Sequence, residues 1–317
     1  MSSSSKKVIY AALVGNALVA ITKFIAASIT GSSAMLSEGI HSVVDTGNQL
    51  LLLLGLHKAK KPADERFPFG HGKEVYFWSF VVALLLFAVG SGVSLYEGVH
   101  HLMHPAPITN PYVNYIVLAL AMLFEGAALY YALTEFNRTR GKWSYLEAVR
   151  KGKDPTTFVV LFEDSAAMLG LFTAFLGVFL TQVTGNLIFD GLASIVIGLI
   201  LGGTAIWLAY ETKGLLIGES ANLRVVKEIR KIVGALPQVE HVNEVLTMHM
   251  GPNFILANLS VDFKDHLTAV ELEAAISRLD TQIKKACPDV QRVFVEAEAR
   301  KIFKGEREGG EGKPYVE

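Results

Sequence analysis

Two short segments of the sequence place ionisable side chains inside otherwise apolar stretches, where such side chains are costly and usually functional. His41 and Asp45 occur in SEGIHSVVD, and Glu163 and Asp164 are adjacent in VVLFEDSAAMLG. On a helix, residues four apart lie on one face, one turn above the other. His41 and Asp45 would then present an imidazole and a carboxylate together, which is half of a tetrahedral site for Zn²⁺ or a similar divalent ion.

A hydrogen-bonded pair that only fixes helix packing explains the HxxxD spacing equally well. The second segment favours metal, because its two adjacent carboxylates have no basic residue in the same stretch and need a cation or protons. Lys23, in the first apolar stretch, could neutralise one of them, but Glu125 is an equally good partner for Lys23. We therefore predict that Asp164 binds metal.

The composition indicates the elements that carry these residues. Hydrophobic residues make up 51% of the 317 positions and charged residues 19%, and the mean hydropathy is +0.38. These values are typical of a polytopic membrane protein rather than a soluble domain. Stretches long enough to cross about 30 Å of hydrocarbon predict six transmembrane helices, near residues 8–29, 34–57, 75–99, 111–134, 156–182 and 187–210.

The N-terminal sequence MSSSSKK and the apolar run that follows it have two interpretations. The basic start is typical of a secretory signal, but the run is long and contains Asn16 and Lys23, which favours an uncleaved first span. The single cysteine, Cys287, excludes an intramolecular disulfide and a cysteine-based zinc site. The net charge of −1 gives no indication of a nucleic-acid-binding surface.

Basic residues in the short connections predict the orientation in the membrane. The turns around residues 30–33, 100–110 and 183–186 contain no Lys or Arg. The N-terminus and the second and fourth connections carry all of them: Lys6, Lys7, Lys58, Lys60, Lys61, Arg66, Lys73, Arg138, Arg140, Lys142, Arg150, Lys151 and Lys153. We therefore expect both termini in the cytoplasm of a protein of the cell (inner) membrane.

After the last span the composition becomes mixed charged and apolar, which predicts a soluble domain. Helical spacing in 222–236, strands at 243–250 and 253–263, a helix at 268–286 and a strand at 291–297 give the order αββαβ. We expect a transmembrane domain at 1–215, a small ferredoxin-like α/β domain at 216–300 with both helices on one sheet face, and a disordered tail at 301–317.

Taken together, these features resemble the cation diffusion facilitator family of divalent-metal/proton antiporters. The resemblance covers about residues 8–298 and rests on the HxxxD in the second span, the acidic residue in the fifth, the loop PADERFPFGHGK, six helices and the αββαβ tail. It implies a tetrahedral transport site with two ligands on the second helix and two on the fifth. By position, His41, Asp45 and Asp164 fill three of these places.

The fourth place departs from the family pattern, because it is occupied by Val160, which cannot bind metal. Glu163 projects about 60° from the direction of Val160 on a helix, and its longer side chain could reach the same site. We therefore predict His41, Asp45, Asp164 and Glu163 as the ligands, with Asn48 or a water molecule as alternatives to Glu163.

The loop between the second and third spans contains a second pair, Asp64 and His71, which match positions that hold a cytoplasmic metal ion in some family members. A turn whose histidine contacts the tail domain is an equal interpretation. In the tail, Leu259, Glu296 and Glu298 stand where other members have histidine or aspartate ligands. This departure argues against a metal site in the tail.

The resemblance implies a secondary active transporter rather than an enzyme, working as a homodimer in the bilayer without an organic cofactor. Imidazole and carboxylate ligands suit Zn²⁺, with Fe²⁺, Mn²⁺, Co²⁺ and Cd²⁺ as alternatives, and a third carboxylate favours harder ions. Two other classes remain open: a polytopic transferase that uses HxxxD as a catalytic base pair, and a metal sensor that does not transport.

Overall fold

The computed structural model describes residues 3–141, 143–152 and 155–300 of the chain. The chain divides into two compact units, one made of Met1–Lys61 and Glu74–Lys213, the other of Pro62–Lys73 and Gly214–Glu317. The tail at 301–317, for which we predict disorder, lies outside the described residues.

The first unit is a bundle of long helices. The described part of it contains α1 (Ser3–Thr30), α2 (Ser33–Ala59), α3 (Glu74–Leu85), α4 (Gly92–Met103), α5 (Pro111–Arg140), the short α6 (Tyr145–Lys151), α7 (Pro155–Thr184) and α8 (Ile188–Ile217). The helices α3 and α4 form one continuous segment, Glu74–Met103, because a π-helical turn at Leu86–Ser91 joins them. Within the described residues the bundle thus has six long helical segments, each overlapping one of the six predicted spans.

Four of these segments are long and apolar enough to cross a membrane by length and composition alone: Glu74–Met103, Pro111–Arg138, Phe158–Thr184 and Ile188–Ile217. In α1 the apolar helix among the residues searched is the shorter Asn16–Thr30. The helix α2 carries Glu38, His41 and Asp45 and is not among these four segments. The chain is a multi-pass membrane protein.

Glycines mark the turns at one end of the bundle, where α1 ends and α2 begins. We call this the distal end. Gly31 follows α1 with φ of 70°, and Gly185 follows α7 with the same φ, a conformation that glycine adopts without a steric penalty. Ser32 then caps α2, because its side chain accepts a hydrogen bond from the backbone N–H of Met35 at 3.2 Å.

The helix α2 lies inside the bundle and packs against α1, α3, α4 and α7. Close approach between α4 and α8 depends on small residues, since a Cβ at Gly98 or Gly198 would clash with the facing helix. Ser91 also donates a hydrogen bond to the carbonyl of Gly198 at 2.8 Å. The two segments therefore form a tight pair beside α2.

The second unit contains α9 (Leu223–Gly234), β1 (Val239–Gly251), β2 (Phe254–Phe263), α10 (Ala269–Ala286) and β3 (Val290–Ala297). The sheet order is β1-β2-β3, with β1 and β2 antiparallel and β2 and β3 parallel. Alternate residues of β2 are buried against both helices: Ile255, Ala257, Leu259 and Val261. The predicted αββαβ order and the shared sheet face of the two helices are confirmed.

The loop Pro62–Lys73 groups with the second unit, whereas the sequence places it in the transmembrane domain. Two contacts explain this difference. The rings of Phe69 and Phe294 meet edge to face, with centroids 6.5 Å apart. The backbone of Gly72 lies so close to Met250 and Gly251 that a Cβ there would overlap the Met250 carbonyl. Packing of the loop on the sheet depends on glycine at position 72.

Candidate metal centre

The two predicted ligands on α2 are brought together as their spacing predicts. The Nε2 atom of His41 lies 3.3 Å from Oδ2 of Asp45. His41 is fully buried, and the Asp45 side chain is 14% exposed. Asn48 follows on the same face of α2 and is also fully buried. One face of α2 therefore presents an imidazole, a carboxylate and a carboxamide in succession.

The helix α7 meets this face with the two adjacent carboxylates. The Nδ2 atom of Asn48 donates a hydrogen bond of 2.7 Å to Oε1 of Glu163, so Glu163 lies against α2. Asp164 is half-buried, and Asp45 interacts electrostatically with both α7 carboxylates and with Glu125 of α5. Three helices thus contribute carboxylates to one region of the bundle.

Among the residues that the structure describes, several buried atoms of α2 in this region have no hydrogen-bond partner. They are Nδ1 and Nε2 of His41, Oδ1 of Asp45 and Oδ1 of Asn48. The His41 and Asp45 side chains are close, but they are not aligned for a hydrogen bond. Buried polar atoms are normally satisfied, so unpartnered ligand atoms in a row indicate a site for a cation or protons.

The four predicted ligands are not gathered around a single point. Within the described part of the chain, no three His, Cys, Asp or Glu side chains are arranged to hold one ion. The structure brings His41 and Asp45 together on α2, and it brings Glu163 into a hydrogen bond with Asn48. A complete coordination sphere would need the α2 and α7 side chains to converge.

Lys23 does not neutralise either α7 carboxylate directly, contrary to one interpretation of the sequence. Its Nζ atom lies 3.1 Å from Oε2 of Glu38 and donates a hydrogen bond of 2.7 Å to Oγ of Ser42. Lys23 and Glu38 are both fully buried. Lys23 lies seven residues before the end of α1, and Glu38 lies five residues after the start of α2. Because the two helices are antiparallel and joined by a short turn, these two side chains lie at similar distances from the turn. Their pairing could have been predicted from that spacing.

The loop pair is also brought together. Within the second unit, Nε2 of His71 lies 3.0 Å from Oδ2 of Asp64, while Oδ1 of Asp64 accepts backbone N–H groups of Arg66 at 2.9 Å and Phe67 at 2.7 Å. The rings of His71 and Phe67 are also in contact. Asp64 therefore closes a turn as well as facing a potential metal-binding imidazole.

This turn should depend on pH. Hydrogen bonds from the His71 side chain and from the backbone of Phe67 hold the pKa of Asp64 below its ordinary value. A lowered folded-state pKa contributes stability that is present above the unfolded value and is lost as the pH falls through the folded one. We expect the protection of the Arg66 and Phe67 amide protons, relative to exchange in an unstructured peptide at the same pH, to fall in acid below the ordinary range for aspartate. Asp64→Ala, which removes the acceptor, should show low protection of these amides already at neutral pH.

In the tail, two of the three residues that replace family ligands, Leu259 and Glu298, have structural contacts. Leu259 is fully buried in the core of the second unit. A side-chain oxygen of Glu298 accepts a hydrogen bond from Ser260 at 2.6 Å, and its carbonyl accepts one from Asn243 at 2.8 Å. These groups are satisfied without an ion.

A multi-pass helical bundle with buried carboxylates and a buried imidazole, followed by a small α/β domain, defines the class of membrane cation carriers. The chain belongs to the cation efflux (cation diffusion facilitator) family, since the model of the cation efflux transmembrane domain matches residues 9–217. The resemblance in the sequence is thereby confirmed.

Individual relatives are similar over most of the chain. The human protein "Proton-coupled zinc antiporter SLC30A9, mitochondrial" is 32% identical over 329 aligned positions, which cover 92% of this chain and 58% of the human protein. "Metal tolerance protein C4" of Arabidopsis thaliana is 30% identical over 83% of the chain and 58% of that protein. "Cation-efflux pump FieF" of Escherichia coli is 28% identical over 82% of the chain and 84% of the pump. The chain thus spans less than two thirds of the first two.

Proposed function

We propose that the chain exports divalent metal cations in exchange for protons, with Zn²⁺ as its substrate. The observation that carries this proposal is the row of buried, unpartnered ligand atoms on His41, Asp45 and Asn48, facing the carboxylates of α7. One imidazole with several carboxylates suits Zn²⁺, Co²⁺ and Cd²⁺, and the additional Glu163 favours harder ions such as Mn²⁺ and Fe²⁺. These ions are the alternatives to zinc.

Exchange follows from competition at these side chains. Imidazole and carboxylate groups bind metal when deprotonated, so each metal ion that binds displaces protons. If one conformation opens to the cytoplasm and the other to a more acidic compartment, protons replace the metal on the acidic side. The proton gradient then drives export.

Separation of the ligands between α2 and α7 fits alternating access. Bound metal would draw the two helices together, and protonation would let them separate, so that each ligand favours a different conformation. Asn48 links the helices while Glu163 carries no metal. We assign His41, Asp45 and Asp164 as ligands and Glu163 as the fourth.

Other parts of the proposal rest on the sequence pattern and on the relatives. Basic residues in alternate connections support cytoplasmic termini, and the family resemblance supports a homodimer in the inner membrane. One relative is named a proton-coupled zinc antiporter and another a cation-efflux pump. We also propose that Asp64 and His71 bind a metal ion on the cytoplasmic side.

Family membership argues against the transferase interpretation of HxxxD, because the matched domain is a transport domain. The experiment that tests the proposal is a flux measurement. Purified protein in proteoliposomes should take up Zn²⁺ when a pH gradient is imposed, and release protons in the opposite direction. Zn²⁺ uptake that is unaffected when an ionophore collapses the pH gradient would contradict metal/proton exchange. Zn²⁺ binding without any uptake would indicate a metal sensor that does not transport.

The role of Glu163 can be tested separately. Glu163→Gln keeps an oxygen that can accept the Asn48 hydrogen bond but removes the charge, so we expect metal affinity to fall about 10-fold or more. The loss should be larger for Mn²⁺ than for Zn²⁺, since Mn²⁺ prefers oxygen ligands. Isothermal titration with both ions measures this.

Asn48→Ala is the matched variant, because it removes the hydrogen bond and leaves the carboxylate. It should weaken binding less than Glu163→Gln does. If Glu163→Gln and Glu163→Ala leave the affinity unchanged for every ion tried, Glu163 is not a ligand.

A further inference from the structure

A second buried polar cluster lies at the distal end of the bundle, where α2 and α8 begin and α4 ends. Asp190 of α8 is fully buried. One of its oxygens accepts a hydrogen bond from Oγ of Ser32 at 2.6 Å, and the other accepts the backbone N–H of Ser33 at 2.5 Å. The hydroxyls of Ser33 and Ser194 lie 2.7 Å apart beside it. A carboxylate therefore occupies the N-terminus of α2.

His101 of α4 completes this cluster. It is 7% exposed, and its Nε2 atom lies 3.6 Å from Oδ2 of Asp190. That distance is too long for a hydrogen bond, and the Nε2 atom has no hydrogen-bond partner in the described part of the chain. The buried Nε2 atom of His101 thus faces the buried carboxylate of Asp190, at a distance slightly longer than a hydrogen bond.

We propose that Asp190 and His101 form a proton-binding site that ties α4 and α8 to the N-terminus of α2. When both ring nitrogens are protonated, the Nε2–H group of the imidazolium can donate a charge-assisted hydrogen bond to the carboxylate. The carboxylate also interacts favourably with the positive end of the α2 dipole. The proton therefore strengthens a link among three helices.

The charged surroundings of the pair support a proton as the ligand. In the part of the chain that the structure describes, the start of α2 brings hydroxyl and backbone groups of Ser32, Ser33 and Ala34 to Asp190, and α7 packs against this part of α8 with Gly177. On α4 the nearest titratable groups are Glu97, one turn before His101, and the exposed His100 and His104. Among the described residues, His101 is the side chain whose charge interacts favourably with Asp190.

The same link bears on the proposed transport function. The helix α2 carries His41 and Asp45, so an attachment of its first turn to α4 and α8 restrains the helix that must move during alternating access. Protonation on the distal side would hold that end closed, and loss of the proton would release it. This consequence rests on the proposed function, whereas proton binding by the pair does not.

Proton binding can be measured without transport. Full-length protein with ¹⁵N-labelled histidine is titrated in lipid nanodiscs, and the His101 signal is assigned by its absence from His101→Gln, or from His101→Asn if the first variant does not fold. We expect this signal to change reversibly with pH in the wild type, and the change to be lost or displaced in Asp190→Asn, because the anionic partner is gone. A signal that does not change with pH, or the same change in both proteins, overturns the proposal.

The link to transport has its own test. Zn²⁺ uptake into proteoliposomes is measured while the pH on the distal side is varied, for wild type, His101→Gln and the matched control His100→Gln. We expect His101→Gln to shift the pH dependence of the maximal rate by more than half a pH unit while the control leaves it unchanged. Equal profiles for all three would overturn the link. If wild type does not transport at all, the proposed function fails while the ¹⁵N titration still decides the proton site.

Discussion

Asp45→Asn and Asp164→Asn should each abolish zinc-driven proton flux in proteoliposomes. Each substitution keeps the shape of the side chain and removes one anionic ligand from the region between α2 and α7. We expect Zn²⁺ affinity to fall by about 100-fold or more, since even groups that only support a metal ligand contribute 10- to 100-fold. Stopped-flow fluorescence of a pH dye inside the vesicles measures the flux, and titration of the detergent-solubilised protein measures the affinity.

Two neighbours serve as controls for these substitutions. The Thr46 hydroxyl donates to the carbonyl of Ser42, and the Ser165 hydroxyl donates to the carbonyl of Leu161, each within its own helix. Thr46→Ala and Ser165→Ala should therefore retain flux near the wild-type rate. Undiminished flux in both aspartate variants would exclude these residues from the transport site.

The elements of the fold could be predicted well because their sequence signals are local. Alternating burial in β2 and helical spacing in α9 are visible in the sequence and agree with the observed strand and helix. The π-helical turn at Leu86–Ser91 was not predicted, since it changes the hydrogen bonding of a helix without interrupting its apolar character. The position of the loop Pro62–Lys73 was also missed, because it depends on packing against residues far along the chain.

The candidate site could be predicted only in part. The i, i+4 spacing correctly placed His41 beside Asp45 on α2, because a helix fixes that geometry by itself. The contact between Asn48 and Glu163 depends on how α2 and α7 are rotated and registered. The sequence does not specify either quantity, and the partners of Asp190 at Ser32 and His101 escaped prediction for the same reason.

The pair formed by Lys23 and Glu38 should make a large contribution to the stability of the bundle. Lys23→Met removes an ammonium group and leaves the Glu38 carboxylate fully buried with no cation at 3.1 Å. Removal of one partner of a buried ion pair typically costs about 3–5 kcal/mol. We expect a markedly lower midpoint of thermal unfolding for Lys23→Met, measured by intrinsic fluorescence in nanodiscs.

The double variant Lys23→Met with Glu38→Gln tests whether the buried charge is the cause. If it is, the double variant should regain most of the lost stability, because no isolated charge remains. Thr22→Val is the matched control on α1, since the Thr22 hydroxyl bonds only to the carbonyl of Val19 in the same helix. Equal losses in the single and double variants would show that Lys23 acts through its contact with Ser42 or through packing.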